Sequence, residues 1–358
     1  MISSSEWWRY LGSVSRLSRV ETRERNRAKV LAAARSEFAE RGFRDAKIDE
    51  IAERAELTRG AVYSNFPGKR ALYFAVLAEA VAAAPVPEQP SLGRTRREAL
   101  GGLARAWVSR LDGPDAALFA DLFAEVPRRP YTQLLRVNAL LLGLALERLE
   151  PVAPGARLVR LASTALTILH GARSLSTIAP GFEEPFDVVS ACEQLASAEL
   201  NDWWAPPAAA PAHPADDPWS PPPAVDLVTG RPAELGDGVV AVLGLNRLAS
   251  VEQAVRGAFG TTPAGAVTAV LVTSDPAELA LARLTITELS ACLRQSFPEP
   301  AWPALRVVID PGPLAAAAGI PAVSDETEVA LRVEDGRILT RAEGTAACQA
   351  IAGVPTHR

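Results

Sequence analysis

Between residues 22 and 204 the apolar side chains recur every three to four positions, the spacing of helices with one buried face. Val30, Leu31, Ala34 and Phe38 share a face of a helix over 23–42, which Gly42 stops. Ile48, Ile51, Ala52 and Ala55 lie at i, i+3, i+4 and i+7 and predict a short second helix. Glu56 and Leu57 make a turn, and Thr58 is placed to cap a third helix over 59–65. Phe66-Pro67-Gly68-Lys69 turns the chain into a fourth. Five more helices are expected at 94–111, 115–126, 130–149, 155–178 and 186–203, separated by Pro and Gly breaks. Eight prolines in nineteen positions follow over 205–223, which predicts an extended linker without sheet ladders.

From 224 the pattern alternates between strand and helix. Strands are expected at 238–245, 266–273, 305–310, 327–333 and 337–341, with helices at 249–259, 276–296, 313–318 and 343–353. The runs Val239 to Leu243 and Val270 to Val272 suit strands buried on both faces. Asp335-Gly336 suits a hairpin turn. The expected organisation is an arm at 1–21, a helical unit at 22–84, a helical body at 90–204, the linker, and an α/β unit at 224–358.

Length and composition narrow the function. A chain of 358 residues with 48% hydrophobic and 22% charged residues reads as two or three globular domains. No apolar run reaches the ~18–20 residues of a membrane span, and the first ten residues lack a signal-peptide pattern. Cys192, Cys292 and Cys348 lie far apart without metal-ligand spacing, which predicts reduced thiols in a cytoplasmic protein. With only three histidines and no phosphate-binding glycine loop after 244, neither a metal nor another cofactor is expected. The net charge of −5 divides unevenly: residues 1–80 hold 15 basic against 11 acidic side chains, and all three lysines. A basic end on an acidic body is the layout of a protein that meets nucleic acid with that end.

Two short helices about a tight turn form a helix-turn-helix, whose second helix fits the major groove. Thr58 and Arg59 stand at the N-terminus of that helix, where amides and dipole favour phosphate. Gly60 allows close approach, and Tyr63, Ser64 and Asn65 offer polar groups, while Ala61, Val62 and Phe66 face the core. The segment AKIDEIAERAELTRGAVYSNFPGKRALYFAVL resembles the DNA-binding signature of TetR-type transcriptional regulators, over roughly residues 22–80. The resemblance implies DNA contacts at Arg59, Gly60, Tyr63, Asn65 and Lys69, with Lys47, Thr58 and Ser64 beside them. Two positions depart from the pattern. Lys47 stands where a Thr cap worth ~1 kcal/mol is usual, and Glu56 replaces the turn glycine, which requires a non-glycine residue at positive φ. Arg16, Arg19, Arg23, Arg25 and Arg27 form either a minor-groove arm or a solvated helix face.

In that family the body implies a small-molecule pocket and a two-fold interface made by its last two helices, here 155–178 and 186–203. Trp107, Phe119, Phe123, Tyr131, Asn138 and His170 are the candidate pocket residues, with ordinary core packing as the alternative for each aromatic. The C-terminal element order resembles a thioredoxin-like fold, but no cysteine follows the first strand at Leu245-Asn246-Arg247-Leu248, so its redox chemistry is not expected. The fold expected is therefore multidomain: an all-α TetR-like region followed by an α/β, thioredoxin-like domain. The function expected is that of a non-enzymatic regulator that binds double-stranded DNA as a homodimer and answers to an unknown small-molecule effector. A bifunctional regulator, with redox or nucleotide-dependent activity or a protein-docking role in 224–358, is the alternative.

Overall fold

Helix α1, Arg19–Asp45, buries Val30, Leu31, Ala34 and Phe38 as its spacing requires. It kinks at Gly42, which takes φ 72° where a side chain would also crowd Asp121. The computed structural model describes residues 19–84, 92–111, 113, 115–258 and 267–352. Most of the expected arm, 1–18, lies outside these residues, and Arg16 with it. Arg23, Arg25 and Arg27 sit on α1 itself, exposed.

After α1 come α2, Ile48–Arg54, α3, Arg59–Asn65, and α4, Lys69–Ala83. The body comprises α5, Arg96–Val108, the short α6, Leu122–Glu125, α7, Arg128–Leu149, α8, Val159–Ile178, and α9, Pro185–Leu195. A full capping box starts α5: Thr95 accepts from the Glu98 amide, and Glu98 reaches back to the Thr95 amide.

Two body helices differ from expectation for identifiable reasons. The helix foreseen at 115–126 is a 3-10 turn at Ala116–Phe119 followed by α6. There the Leu118 carbonyl accepts from the Tyr73 hydroxyl at 2.6 Å, and the Asp121 carboxylate accepts from the Phe43 amide at 2.7 Å. Both bonds draw the segment towards α1 and α4. The helix foreseen at 186–203 ends at Leu195. Asp202 instead turns back to the start of α8, accepting from the Arg160 amide at 2.8 Å and from Arg157 at 2.7 Å.

The proline-rich segment also departs from its reading as a linker. Ala212–Pro218 forms strand β1, antiparallel to the last strand, Arg337–Glu343, and bulged between Pro214 and Asp217. Proline is excluded from sheet interiors because it lacks an N–H, but an edge strand needs donors on one side only. The Arg337 to Asp216 ion pair at 2.5 Å secures this edge.

The C-terminal unit contains β2, Gly238–Gly244, α10, Val251–Ala258, β3, Val267–Val272, α11, Pro276–Ser296, β4, Leu305–Ile309, and α12, Pro313–Ala317. It ends with β5, Glu328–Glu334, β6, Arg337–Glu343, and α13, Ala347–Ala352. The sheet runs β1-β6-β5-β2-β3-β4, with β2, β3 and β4 parallel and the rest antiparallel. Val240 and Val242 face α12 and Trp219 on one side. Val239, Ala241 and Leu243 face α10, α11 and α13 on the other, and this layer is continuous with the core of the helical body.

That continuity depends on α11. Its contact with α4 is the most extensive between helices among the described residues, and it also packs on α5 and α7. From Ala71 to Val81 every residue of α4 except Glu79 is buried. Asn138 of α7, expected to need a partner inside its apolar helix, donates to the Thr285 carbonyl of α11 at 3.0 Å. Arg173 of α8 meets Glu288 of α11 through two bonds of 2.6 and 2.9 Å, with both side chains almost wholly buried. Burial pushes the Glu288 carboxyl up, but the Arg173 guanidinium outweighs it and holds the group below the ordinary carboxylate range. Removing one partner of a buried ion pair strands the other charge. Arg173→Leu is therefore expected to lose about 3–5 kcal/mol in urea unfolding, and Arg173→Leu with Glu288→Leu to recover most of it. Equal losses in the single and double variants would contradict this.

Candidate nucleic-acid interface and effector cavity

The helix-turn-helix is built from α2 and α3. Arg54 near the end of α2 holds Glu40 of α1 at 2.7 Å and Glu37 at 3.3 Å, fixing α2 across α1. Lys47 occupies the N-cap of α2 and makes no side-chain cap bond, as its side chain dictates. Glu56 takes φ 55° in the turn and pairs with Lys29 at 3.1 Å. Thr58 caps α3, its hydroxyl accepting from the Ala61 amide at 3.2 Å. Val62 and Phe66 anchor α3 in the core, with Ala61 half-buried at its edge, and the Arg27 guanidinium lies 4.4 Å from the Phe66 ring centre.

This anchoring leaves one face of α3 outward. Thr58, Arg59, Gly60, Tyr63 and Ser64 are all exposed, Tyr63 at 42%. Arg59 leans over Tyr63 and pairs with Asp49 at 3.3 Å, so its head is held near the helix in an orientation water surrounds. Ser64 donates to the Ala61 carbonyl at 2.8 Å. Asn65 is half-buried and donates to the same carbonyl at 2.8 Å, so its amide turns back on its own helix. Lys69 starts α4 and donates to the Arg44 carbonyl at 3.0 Å, with its ammonium 4.7 Å from the Phe43 ring centre. Burial there draws its pKa below the ordinary lysine value.

Of the pocket candidates, Trp107, Phe123 and Tyr131 surround His170 of α8, whereas Asn138 is turned to α11 and Phe119 to Arg173. The His170 ring meets Trp107 edge-on at 4.9 Å between centroids, with Phe123 and Tyr131 each at 6.3 Å. Trp107 donates to the Leu169 carbonyl at 3.0 Å. Neither imidazole nitrogen has a hydrogen-bond partner among the described residues, although both are buried. Desolvation pulls the His170 pKa down to about 4, so the ring is neutral at pH 7. Burial likewise raises the Tyr131 hydroxyl.

Two clefts flank this cluster. One, of about 640 Å³, runs between α7, α8 and α10 and has His170, Arg136 and Thr167 in its wall. The other, of about 440 Å³, lies among α4, α5 and α8, with Phe119, Arg110 and Arg173 in its wall. Arg173, in the wall of this second cleft, stacks on Trp107 at 4.6 Å and on Phe119 at 5.0 Å. Arg173 and Glu288 were not among the sequence candidates, although a lone arginine between Leu169 and Leu175 is a visible irregularity in an apolar helix.

Residues 30–76 match the model of the family described as bacterial regulatory proteins, tetR family. Over 109 residues the chain is 31% identical to the uncharacterised HTH-type transcriptional regulator TtgW of Pseudomonas putida, spanning 30% of this chain and 79% of TtgW. The chain belongs to the TetR family. It is also 32% identical over 99 residues to the HTH-type transcriptional regulator SrpR of Pseudomonas putida, covering 28% of this chain but only 46% of SrpR. Among solved structures, a TetR transcriptional regulator from Rhodococcus sp. RHA1 aligns over 49% of this chain and 95% of its own, at 16% identity and a TM-score of 0.35. Over residues 30–76 this TetR chain has the DNA-binding helix-turn-helix of bacterial transcriptional regulators. Among its described residues no helix is long and apolar enough to cross a membrane.

Two measurements test the local chemistry. Thr58→Ala removes the α3 cap and is expected to cost about 1 kcal/mol, whereas Glu56→Gly relieves the positive φ at the expense of one exposed ion pair and should be neutral or stabilising; guanidinium unfolding of the two variants decides the signs. His170, with its folded pKa below the unfolded value, contributes stability that is present above about pH 6.5 and lost as pH falls towards 4. The stability difference between wild type and His170→Gln should therefore shrink over that window, and a constant difference would rule out a neutral, desolvated imidazole.

Proposed function

We propose that the protein represses transcription as a homodimer bound to a palindromic operator, and that a small-molecule effector in the body releases it. The observation that carries this reading is the outward face of α3: a capped helix N-terminus with Arg59, Gly60, Tyr63 and Ser64 exposed on a helix whose other face is locked into the core. In this reading Thr58 and the first amides of α3 bind a phosphate, while Arg59 and Tyr63 read base edges. Lys69 leaves the Arg44 carbonyl for the DNA backbone, and Lys47 and Asn65 flank the contact.

The two-fold contact is assigned to α8 and α9. Ile178, Phe182 and Phe186 are 73, 75 and 77% exposed about the turn joining these helices, an apolar patch suited to burial against its own copy. Pairing there sets two copies of α3 to read symmetric half-sites. The effector is assigned to the His170 cluster, where a neutral imidazole without a partner and a ring of aromatics favour an uncharged or aromatic ligand with a hydrogen-bonding group. Such a ligand acts by binding more tightly to the state in which the copies of α3 no longer match the operator.

For the C-terminal unit we favour a thioredoxin-like but non-catalytic module. The order β6-β5-β2-β3, with β5 antiparallel to its neighbour β2, supports the likeness. All three thiols are buried, and burial pushes Cys192 to about 12, Cys292 to about 11 and Cys348 higher, which opposes thiolate chemistry.

Footprinting on the DNA around its own gene supplies the operator. In gel-shift titrations Arg59→Ala is expected to cost about 1–3 kcal/mol on the operator and to relax preference at one base pair. Lys69→Ala should weaken all duplexes alike and flatten the salt dependence by about one unit of slope. Unchanged binding in both variants would remove α3 as the reading helix. Phe182→Glu with Phe186→Glu should halve the mass in sedimentation; an unchanged mass would place the two-fold contact elsewhere.

A further inference from the structure

A third cleft, of about 660 Å³, separates the DNA-binding unit from α11. On one side stand Arg27 of α1 and Glu79 of α4, and on the other Arg283 of α11. Its floor is made of small or aliphatic side chains: Ala71, Ala75 and Ala78 from α4, Leu279 and Ala280 from α11, and Ile309 at the end of β4. Alanine at three positions along one side of α4 is what keeps this space open between two helices that otherwise pack closely.

The charges are unusual for a surface cleft. Neither Arg27 nor Arg283 makes a hydrogen bond or ion pair with any described residue; Arg27 rests on the Phe66 ring at 4.4 Å, whereas Arg35 and Arg70 are each held by a carboxylate. Both heads reach solvent, but the surrounding protein desolvates them enough to lower both pKa values, and Arg283 adds to the effect at Arg27. Glu79 opposes Arg27 through space, and its own carboxyl is raised by burial. Two guanidiniums against one carboxylate leave one net positive charge above an apolar floor. The fit is to a single negative charge on an apolar body. A phosphate ester with two charges would meet Glu79, and a neutral lipid would leave the guanidiniums uncompensated.

We infer that this cleft is a second ligand site, distinct from the His170 cluster, which binds a monoanionic amphiphile such as an aliphatic carboxylate between Arg27 and Arg283. The carboxylate accepts from guanidiniums on two separate units, and the chain lies along the alanines of α4. One anion thereby ties α1 of the DNA-binding unit to α11, beside the ion pair from Arg70 to Asp275 that already joins α4 to the start of α11 at 3.0 Å. Binding at this site does not depend on the operator reading above. Only its effect on DNA affinity does.

Calorimetric titration of the full-length protein with decanoate, decanol and inorganic phosphate tests the assignment. Decanoate should bind saturably, with decanol and phosphate at least tenfold weaker. Arg283→Gln, at an exposed head that thermal unfolding should show to be structurally neutral, is expected to weaken decanoate about tenfold, and Arg283→Lys to restore part of it. Ala280→Phe should block binding by filling the floor. Equal binding of decanol, or decanoate binding indifferent to Arg283→Gln but lost in His170→Phe, would overturn the proposal in favour of the body clefts. So would an Arg283→Gln variant that loses duplex affinity in gel shifts while binding no decanoate, since the arginines would then serve DNA. Decanoate binding without any duplex binding would retain the site and reject the operator reading.

Discussion

Helix α4 has almost no polar face, and a helix apolar on every side must be enclosed on every side. The DNA-binding unit covers one flank and the body another. The remaining flank is closed by α11, from a unit that begins well over a hundred residues later in the chain. This single requirement joins what composition divides into separate domains. It explains why the core passes without a break from Val30 to the sheet, and why Asn138 and Arg173 find their partners on α11.

The same helix begins with Lys69, directly beside the turn from α3, so anything that shifts α4 shifts α3. Four polar ties cross this junction among the described residues. Arg35 of α1 pairs with Asp115 at 2.5 Å, the Phe43 amide donates to Asp121, and Arg70 pairs with Asp275. With the Tyr73 hydroxyl on the Leu118 carbonyl, three of the four tie the DNA-binding unit to the 115–121 segment, and the Arg70 pair ties it to the C-terminal unit. Packed helices of this kind change position in discrete steps, and a few polar ties bias which step is occupied. The C-terminal unit is thus mechanically joined to the DNA-binding unit.

The sequence made the DNA-binding unit legible nearly residue by residue. Thr58 as cap, the uncapped Lys47 and the strained Glu56 follow from local chemistry, because caps and turns are decided within a few residues. The long strands and α11 were equally plain from their periodicity. What stayed hidden depended on distant partners. Nothing near Leu118 or Asp121 shows that Tyr73 and Phe43 will draw those residues out of a regular helix. Nothing near Asp202 shows that it will cap α8. The prolines of 205–223 argue against any sheet ladder, and that expectation fails because an edge strand makes weaker demands and only β6 reveals that an edge is available. The docking of α11 was illegible for the same reason, since the residues of α4 and α11 are ordinary apolar ones until they are brought together.

The Arg70 to Asp275 tie spans 205 positions of chain. A ribosome adding about 5–20 residues per second therefore releases α4 some tens of seconds before the helix that shields it exists. During that interval a fifteen-residue greasy rod stands beside an already formable helix-turn-helix. Nascent chains in that condition are the ones that chaperones hold. The DNA-binding unit is thus made before the helix that completes its enclosure, and a chain that stops short of α11 leaves that flank of α4 bare.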